Sequence, residues 1–412
     1  MLLRGCQRVE QGGVGSSDLP FPEHVPFHEP DVTDSDVAAV AAVLRHGWLT
    51  TGQQCERLEA ELAEYLGVPH VVTMSSCTAA LETASAALRL RRGARVGVPT
   101  WTFVASALAP ARHGARPVLL DVSPDDLNLS PDALDRALGQ GLDAVVAVHF
   151  GGVPVSPAVH ELCAARGVPI IEDAAHALGA RDHRGMVAGQ DSVAACFSFY
   201  ATKNLTAGEG GALATADGAL DAFARSHRLH GLSRDAWSRY LPGGTAEYDV
   251  VAAGIKANLP DVLAALARSQ LRRFGESQSR RRAAVVRYRH ALAELTDVRP
   301  VPTELVEGGA DHLMAVLLPA DVDRTEVMRT MAEHGIGTSI HFRPLHHFDW
   351  FCRHAEVGPG GTPVADRLWP RALSLPLHPR LEASQVDRVC EALGTAIRKA
   401  RSQPARGRMI PA

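Results

Sequence analysis

Short apolar segments alternate with helical stretches of about a dozen residues between Val71 and Thr215. Repeated strand–helix units of this kind build a mostly parallel sheet, because each connecting helix crosses over one face of the sheet. We therefore predict an α/β fold with a mostly parallel central sheet and helices on both faces. The predicted strands are Val71–Met74, Arg95–Val98, Pro117–Leu120, Ala144–His149, Pro169–Glu172 and Ala195–Phe199.

The pattern changes after Asp261, where a long amphipathic helical stretch leads away from the predicted sheet. The remaining chain fits a smaller C-terminal α+β domain, with strand-like His312–Leu318 and helices Thr325–His334 and Ala383–Lys399. At 412 residues, one large and one small domain are the simplest division. We predict a large domain over residues 21–268, a small domain over 269–402, and mobile ends at 1–20 and 403–412.

Composition and charge favour a soluble enzyme. The formal net charge is −4 with acidic and basic residues mixed, which predicts no binding to nucleic acid or membranes. The chain has no apolar run of about 18 residues, and its N-terminus has no apolar signal-peptide core. Seven scattered cysteines without Cys-x-x-Cys spacing predict reduced thiols and a cytoplasmic protein.

No metal site is predicted from the sequence. The 19 histidines include no His-Glu-x-x-His motif. The adjacent pair His346 and His347 would point to opposite sides of an extended segment.

Lysine is rare in this chain: of 42 basic residues, only Lys203, Lys256 and Lys399 are lysines. An arginine stays protonated and cannot form a Schiff base with a carbonyl, so a retained lysine is a candidate nucleophile. Lys203 follows an apolar strand-like run and precedes the glycine-rich segment 208–211, which is typical of an active-site loop. The alternative is an ordinary surface lysine.

Three other strand ends carry candidate binding groups. Asp173 ends one strand, where a carboxylate either holds a pyridine nitrogen protonated or caps the next turn. Cys77 and Thr78 open a helix whose free amides bind phosphate, although a simple N-cap would give almost the same pattern. Trp101 follows a third strand and either stacks on a flat ring or belongs to the core.

Four segments, taken in order, resemble the DegT/DnrJ/EryC1/StrS family of pyridoxal-phosphate (PLP) sugar aminotransferases. They are Ser-Cys-Thr-Ala-Ala, Pro-Thr-Trp-Thr-Phe, Glu-Asp-Ala-Ala-His, and Phe-Ser-Phe-x-x-x-Lys-Asn-x-x-x-Gly-Glu-Gly-Gly. The resemblance runs from about Phe27 to Ala400 and includes segments 47–52, 254–259 and 337–346. Two residues depart from the family pattern, because Cys77 replaces a common glycine and His176 a common glutamine.

The resemblance implies a fold-type I PLP-dependent transferase that uses pyridoxal 5′-phosphate, with pyridoxamine phosphate formed in the half-reaction. Lys203 would bind the cofactor and shuttle protons, and Asp173 would keep its ring nitrogen protonated. The implied cofactor-binding residues are Cys77, Thr78, Trp101, Asp173, His176, Ser198, Lys203 and Asn258. The implied substrate-binding residues are Lys256, His341 and Phe342.

The resemblance also implies partners. Glutamate would be the amino donor, and the acceptor would be a nucleotide-linked keto-sugar, best a dTDP-linked 4-keto-6-deoxyhexose aminated at C4. Amination at C3 and a pyridoxamine-phosphate-dependent sugar dehydratase are the alternatives, although the dehydratase carries histidine where this chain has Lys203. A non-enzymatic PLP-binding regulator would need a DNA-binding module, and none is recognisable. Asn258 would serve the neighbouring subunit's phosphate, which implies a homodimer with shared active sites.

Overall fold

The computed structural model describes residues 24–233 and 247–402. The predicted mobile ends, 1–20 and 403–412, lie outside the described residues. Within the described part of the chain, no helix is both long and apolar enough to cross a bilayer.

Eleven strands occur in the described residues, and eight of them form one central sheet. In chain order the strands are β1 (His70–Met74), β2 (Arg95–Pro99), β3 (Arg116–Leu120), β4 (Ala144–Val148), β5 (Ile170–Asp173), β6 (Ala194–Ser198), β7 (Gly211–Thr215), β8 (Arg299–Val301), β9 (Met314–Leu317), β10 (Glu356–Val357) and β11 (Ala372–Leu375). The central sheet has the order β1-β7-β6-β5-β4-β2-β3-β10, and only β7 runs antiparallel to its neighbours. All six predicted strands are confirmed, and β7 and β10 complete the sheet.

Helices cover both faces of this sheet. The helices of the described chain, including those that pack on the small C-terminal sheet, are α1 (Asp34–His46), α2 (Gln53–Leu66), α3 (Cys77–Ala87), α4 (Ala105–Arg112), α5 (Pro131–Leu138), α6 (Pro157–Ala164), α7 (Gly218–His227), α8 (Asp261–Arg272), α9 (Phe274–Leu292), α10 (Arg324–Glu333), α11 (Asp349–His354), α12 (Pro363–Leu368) and α13 (Ala383–Ser402). Successive residues of a strand point to opposite faces. Val71 accordingly packs with Leu58 of α2, whereas Val72 packs with Ala80 and Ala84 of α3.

The three remaining strands form a small antiparallel sheet in the order β11-β9-β8. Its core joins Val316 and Leu373 of the sheet to Tyr288 of α9 and Val389 of α13. The predicted amphipathic stretch after Asp261 is two helices, α8 and α9, that meet at Arg273. The C-terminal part also returns to the large sheet, where β10 pairs in parallel with β3. The division at residue 268 therefore stays a prediction.

Candidate active site

A cavity of about 350 Å³ opens at the carboxyl ends of β4, β5 and β6. This is the edge of a parallel sheet where ligands of α/β proteins bind, because the connecting loops there are free of the strand ladder. Aromatic and imidazole side chains of the C-terminal part close its other side. Eight of the predicted site residues line it, namely Cys77, Thr78, Asp173, His176, Ser198, Lys203, His341 and Phe342.

Lys203 lies in the loop between β6 and β7, where its backbone amide donates to the Tyr200 carbonyl at 2.9 Å. Burial lowers the pKa of the Lys203 amine, and the nearby Cys77 and Asp173 offset part of this effect. A lower pKa increases the fraction of neutral amine, which is the form that attacks a carbonyl or accepts a proton. A lowered pKa is what the predicted role of Lys203 requires, and the role itself stays a prediction.

Asp173 is the last residue of β5, and its carboxylate is buried and held from two sides. The Ser106 hydroxyl donates to Oδ2 at 2.6 Å, and the Ala175 amide donates to Oδ1 at 3.2 Å. Two hydrogen bonds fix the direction in which the carboxylate faces the cavity. Ser106, on α4, was not predicted, because only the tertiary structure brings α4 beside the end of β5.

The N-terminus of α3 faces the same cavity. Ser76 caps the helix, since its hydroxyl accepts from the Ala79 amide at 3.1 Å and its carbonyl accepts from the Ala80 amide at 3.2 Å. The amides of Cys77 and Thr78 have no hydrogen-bond partner within the described chain, as expected for the first turn of a helix. Free amides and the positive end of the helix dipole favour an anion such as a phosphate.

Gly211, the first residue of β7, packs directly against this helix N-terminus. A Cβ atom at position 211 would lie 2.4 Å from the Ser76 carbonyl carbon and 2.5 Å from the Cys77 nitrogen. Those contacts are too close for any side chain, so a glycine is needed for β7 to pair where it does.

We expect Gly211→Ala to weaken PLP binding by about tenfold or more, because the added methyl group pushes the Cys77 amide away from the phosphate position. Fluorescence titration of the apoenzyme with PLP measures the change. Gly275→Ala is the matched control, because a Cβ at that position meets nothing within 4 Å. Unchanged affinity in Gly211→Ala would contradict a phosphate site at the start of α3.

His176 has a defined neutral tautomer. The Gly151 amide donates to its Nδ1 at 3.2 Å, so the proton of the neutral ring is on Nε2. Burial, with a smaller effect of Lys203, keeps the pKa of His176 well below its usual value. The ring can therefore donate one N–H, as the amide of the family's usual glutamine does.

The structure does not bring Trp101 to the cavity, so the prediction that its indole stacks on the cofactor is not supported. Trp101 is fully buried, and its Nε1–H donates to the His341 carbonyl at 3.1 Å. The chain bends after β2, and Phe103 becomes the aromatic side chain on the cavity wall. Phe342 lies opposite, with its ring stacked on His176 at 5.8 Å and tilted against Phe103 at 5.9 Å.

Two more histidines complete the cavity wall. His341 pairs through Nδ1 with the Ser374 hydroxyl at 3.0 Å, and burial lowers the pKa of His341 to about 4. His312 was not predicted as a site residue. Its Nδ1–H donates to Asn204 Oδ1 at 2.8 Å, and the Asn204 amide donates to the Ala310 carbonyl at 2.5 Å. These bonds anchor the residue next to Lys203 to the C-terminal part.

Lys256 and Asn258 do not line the cavity of their own chain. Asn258 donates to the Thr51 hydroxyl at 2.6 Å, and its carbonyl oxygen accepts from the exposed Lys256 amine. The contact of Asn258 with the phosphate of a neighbouring subunit therefore stays a prediction.

Comparison with known proteins identifies relatives along almost the whole chain. The DegT/DnrJ/EryC1/StrS aminotransferase family matches residues 30–394. The spore coat polysaccharide biosynthesis protein SpsC of Bacillus subtilis is 34% identical over 91% of this chain and 98% of its own length.

Solved structures agree with the sequence relatives. The putative sugar aminotransferase Spr1654 from Streptococcus pneumoniae, in its PMP form, superposes with a TM-score of 0.85 at 27% identity, over 91% of this chain and all (100%) of that one. Helicobacter pylori PseC, an aminotransferase involved in the biosynthesis of pseudoaminic acid, superposes with a TM-score of 0.84 at 25% identity, over 92% of this chain and 100% of its own.

Proposed function

Because this chain belongs to the DegT/DnrJ/EryC1/StrS aminotransferase family, we propose that it moves an amino group from glutamate to C4 of a dTDP-linked 4-keto-6-deoxyhexose. Membership of the family makes the chain a PLP-dependent sugar aminotransferase of fold type I, as its sequence predicted. Glutamate, the nucleotide and the aminated carbon are the proposed refinements.

The residues around the cavity fit PLP. The open N-terminus of α3 would hold the phosphate, together with the Ser198 hydroxyl. Asp173 would face the ring nitrogen, His176 Nε2–H the phenolic oxygen, and Phe103 one face of the ring. When bound, PLP supplies an electron sink that stabilises negative charge on the carbon next to the transferred nitrogen.

Lys203 would carry the proton transfer in both half-reactions. Its neutral amine would take a proton from the donor carbon that bears the amino group, and the resulting ammonium would deliver it to the cofactor carbon C4′ on the other side of the transferred nitrogen. In the second half-reaction the proton would move in the opposite direction, from C4′ to the sugar carbon. One buried lysine of lowered pKa performs both steps, so no second catalytic carboxylate is required. The Asp173 carboxylate would lie beside the pyridine nitrogen, where an anion favours the protonated ring.

One observation carries this proposal: a buried lysine and a doubly hydrogen-bonded aspartate share one cavity beneath an open helix N-terminus. His341 and Phe342 lie at the opposite wall, where the sugar of an acceptor would enter. Neutral His341 would donate a hydrogen bond to a sugar hydroxyl or accept one from it, and Phe342 would pack against the sugar ring.

Product analysis tests the substrate. The PLP-loaded enzyme is given nitrogen-labelled glutamate and dTDP-4-keto-6-deoxyglucose, and the sugar is examined by NMR. We expect the label on C4, with one 2-oxoglutarate formed per amino-sugar. Label on C3 of a 3-keto isomer would favour the alternative position, and loss of a hydroxyl without nitrogen incorporation would indicate a dehydratase.

Subunit complementation tests the shared site. We expect Lys203→Ala and Asn258→Ala homodimers to be poorly active at limiting PLP. If Asn258 serves the partner's phosphate, mixing the two restores activity. Random reassortment makes half of the dimers mixed, and one of their two sites is intact, so about one quarter of wild-type activity returns. If Asn258 instead serves its own chain, neither site of a mixed dimer is intact and activity does not return. Absence of recovery would therefore contradict the proposed shared site.

A further inference from the structure

His346, His347 and Asp366 form a cluster outside the proposed active site. Leu345–His347 is a single 3-10 turn and not an extended segment, so the two histidines do not point to opposite sides. Both Nε2 atoms instead lie 2.8 Å from the same oxygen, Asp366 Oδ1. The ring centroids are 4.2 Å apart, and the planes are inclined by 66°.

The cluster has the supporting contacts of a metal site. His346 Nδ1 lies 2.7 Å from the Thr100 hydroxyl, which leaves Nε2 directed at the cluster. Thr362 Oγ1 lies 3.3 Å from the other carboxylate oxygen, Asp366 Oδ2, and 3.2 Å from His346 Nε2, from which a bound ion would displace it. Hydrogen bonds from the outer side of an imidazole and a carboxylate orient them as ligands.

We propose that His346, His347 and Asp366 bind one divalent transition-metal ion, with Zn²⁺ as the best match. Two imidazole nitrogens and one carboxylate oxygen suit zinc, whereas Ca²⁺ and Mg²⁺ prefer an all-oxygen shell. Water would fill the fourth tetrahedral position.

Only a small opening of the cluster is required. Bonds of about 2.0–2.2 Å in a tetrahedral site place ligand atoms about 3.3 Å apart, so each N···O distance must increase by about half an ångström. The carboxylate of Asp366 is half exposed, with a side-chain exposure of 50%. It can move outward without disturbing the core.

The ion would join two segments next to the cavity wall. The Leu345 amide donates to the Thr100 carbonyl at 2.7 Å, so the turn is anchored to the loop after β2. Helix α12, which carries Asp366, is held at its start by Asp121, which accepts from the amides of Val364 and Ala365. A metal bond between these two segments therefore stabilises the folded state, because the unfolded chain has no preformed site.

A second histidine–carboxylate cluster is a poorer site. His160 lies between Glu172 and Asp191, with Nε2 3.4 Å from one and Nδ1 3.4 Å from the other. The two ring nitrogens of His160 point in different directions, so a single ion bound to one of them cannot also reach the carboxylate beside the other. Glu172 is also occupied, since it accepts from the Gly189 amide at 2.7 Å and the Ser192 hydroxyl at 2.6 Å.

Calorimetric titration with ZnCl₂ tests the proposal on PLP-loaded enzyme freed of metal by chelation. We expect one equivalent per chain at these residues, and at least about tenfold weaker binding in His347→Asn and in Asp366→Asn. Zinc should also raise the melting temperature of the wild type by about 2 °C or more, but not that of these variants. X-ray absorption should show two imidazoles on the zinc.

His354→Asn is the matched control, because His354 is an exposed neighbour that pairs with the Trp350 carbonyl and not with the cluster. It should bind zinc as the wild type does. Equal PLP content in all proteins, checked by absorbance, removes chelation by the cofactor as a cause. Binding retained in both His347→Asn and Asp366→Asn, or lost only in His160→Asn, would overturn the proposal.

Discussion

Lys203→Ala is expected to lower the rate of amino transfer by about 10⁴-fold or more, because the variant loses both the cofactor attachment and the proton carrier. The other residues around the cavity would still hold the phosphate and the ring. The variant should therefore bind PLP and yet fail to convert it to the pyridoxamine form with glutamate. Single-turnover absorbance measurements give both quantities.

The two other substitutions for comparison follow from the chain's unusual shortage of lysine. Lys203→Arg keeps the positive charge but cannot become neutral, so it should be as inactive as Lys203→Ala. Lys399→Ala should be fully active, because Lys399 is an exposed residue of α13 that pairs with Glu333. Borohydride reduction and peptide mapping of the wild type should find the pyridoxyl group on position 203. A label elsewhere would refute the assignment.

Asp173→Asn is expected to reduce the rate by about 10²- to 10³-fold. Removing one partner of a buried ion pair costs about 3–5 kcal/mol, and here the protonated ring of the cofactor is the other partner. An amide cannot hold the ring nitrogen protonated, so the cofactor becomes a poorer electron sink. The absorption spectrum of the bound cofactor should change with the rate.

Two further variants separate charge from position. Ser106→Ala keeps the carboxylate but removes the 2.6 Å hydrogen bond that orients it, so we expect a loss of about tenfold with an unchanged spectrum. Asp135, on α5, lies outside the cavity and forms an ion pair with Arg166, so Asp135→Asn should behave as the wild type. Full activity of Asp173→Asn, with bound PLP, would contradict the role of this carboxylate.

Most of the site could be predicted because its residues stand at the ends of recognisable strands. Asp173 and Ser198 end β5 and β6, and parallel pairing of neighbouring strands brings such ends together. Ser106 and His312 could not be found in this way. They reach the cavity from α4 and from the C-terminal part, and no local pattern marks the long-range contacts that place them there.

Two features of the structure depend on a bend in the backbone that periodicity does not reveal. Trp101 and Phe103 are both aromatic residues after a strand, and only the turn between them decides that Trp101 is buried and Phe103 faces the cavity. The 3-10 turn at Leu345–His347 likewise brings two histidines together that an extended chain would separate.

The sequence alone determined the fold class and pointed to Lys203 and Asp173 as the candidate lysine and carboxylate, because alternating polarity and strand-end chemistry are local properties of the chain. The tertiary structure decided the tautomer of His176, the aromatic wall and the meeting of His346, His347 and Asp366. Each of these depends on side chains that are distant in sequence or reoriented by a turn. The distances between these side chains are therefore set by tertiary packing, which cannot be read from the sequence.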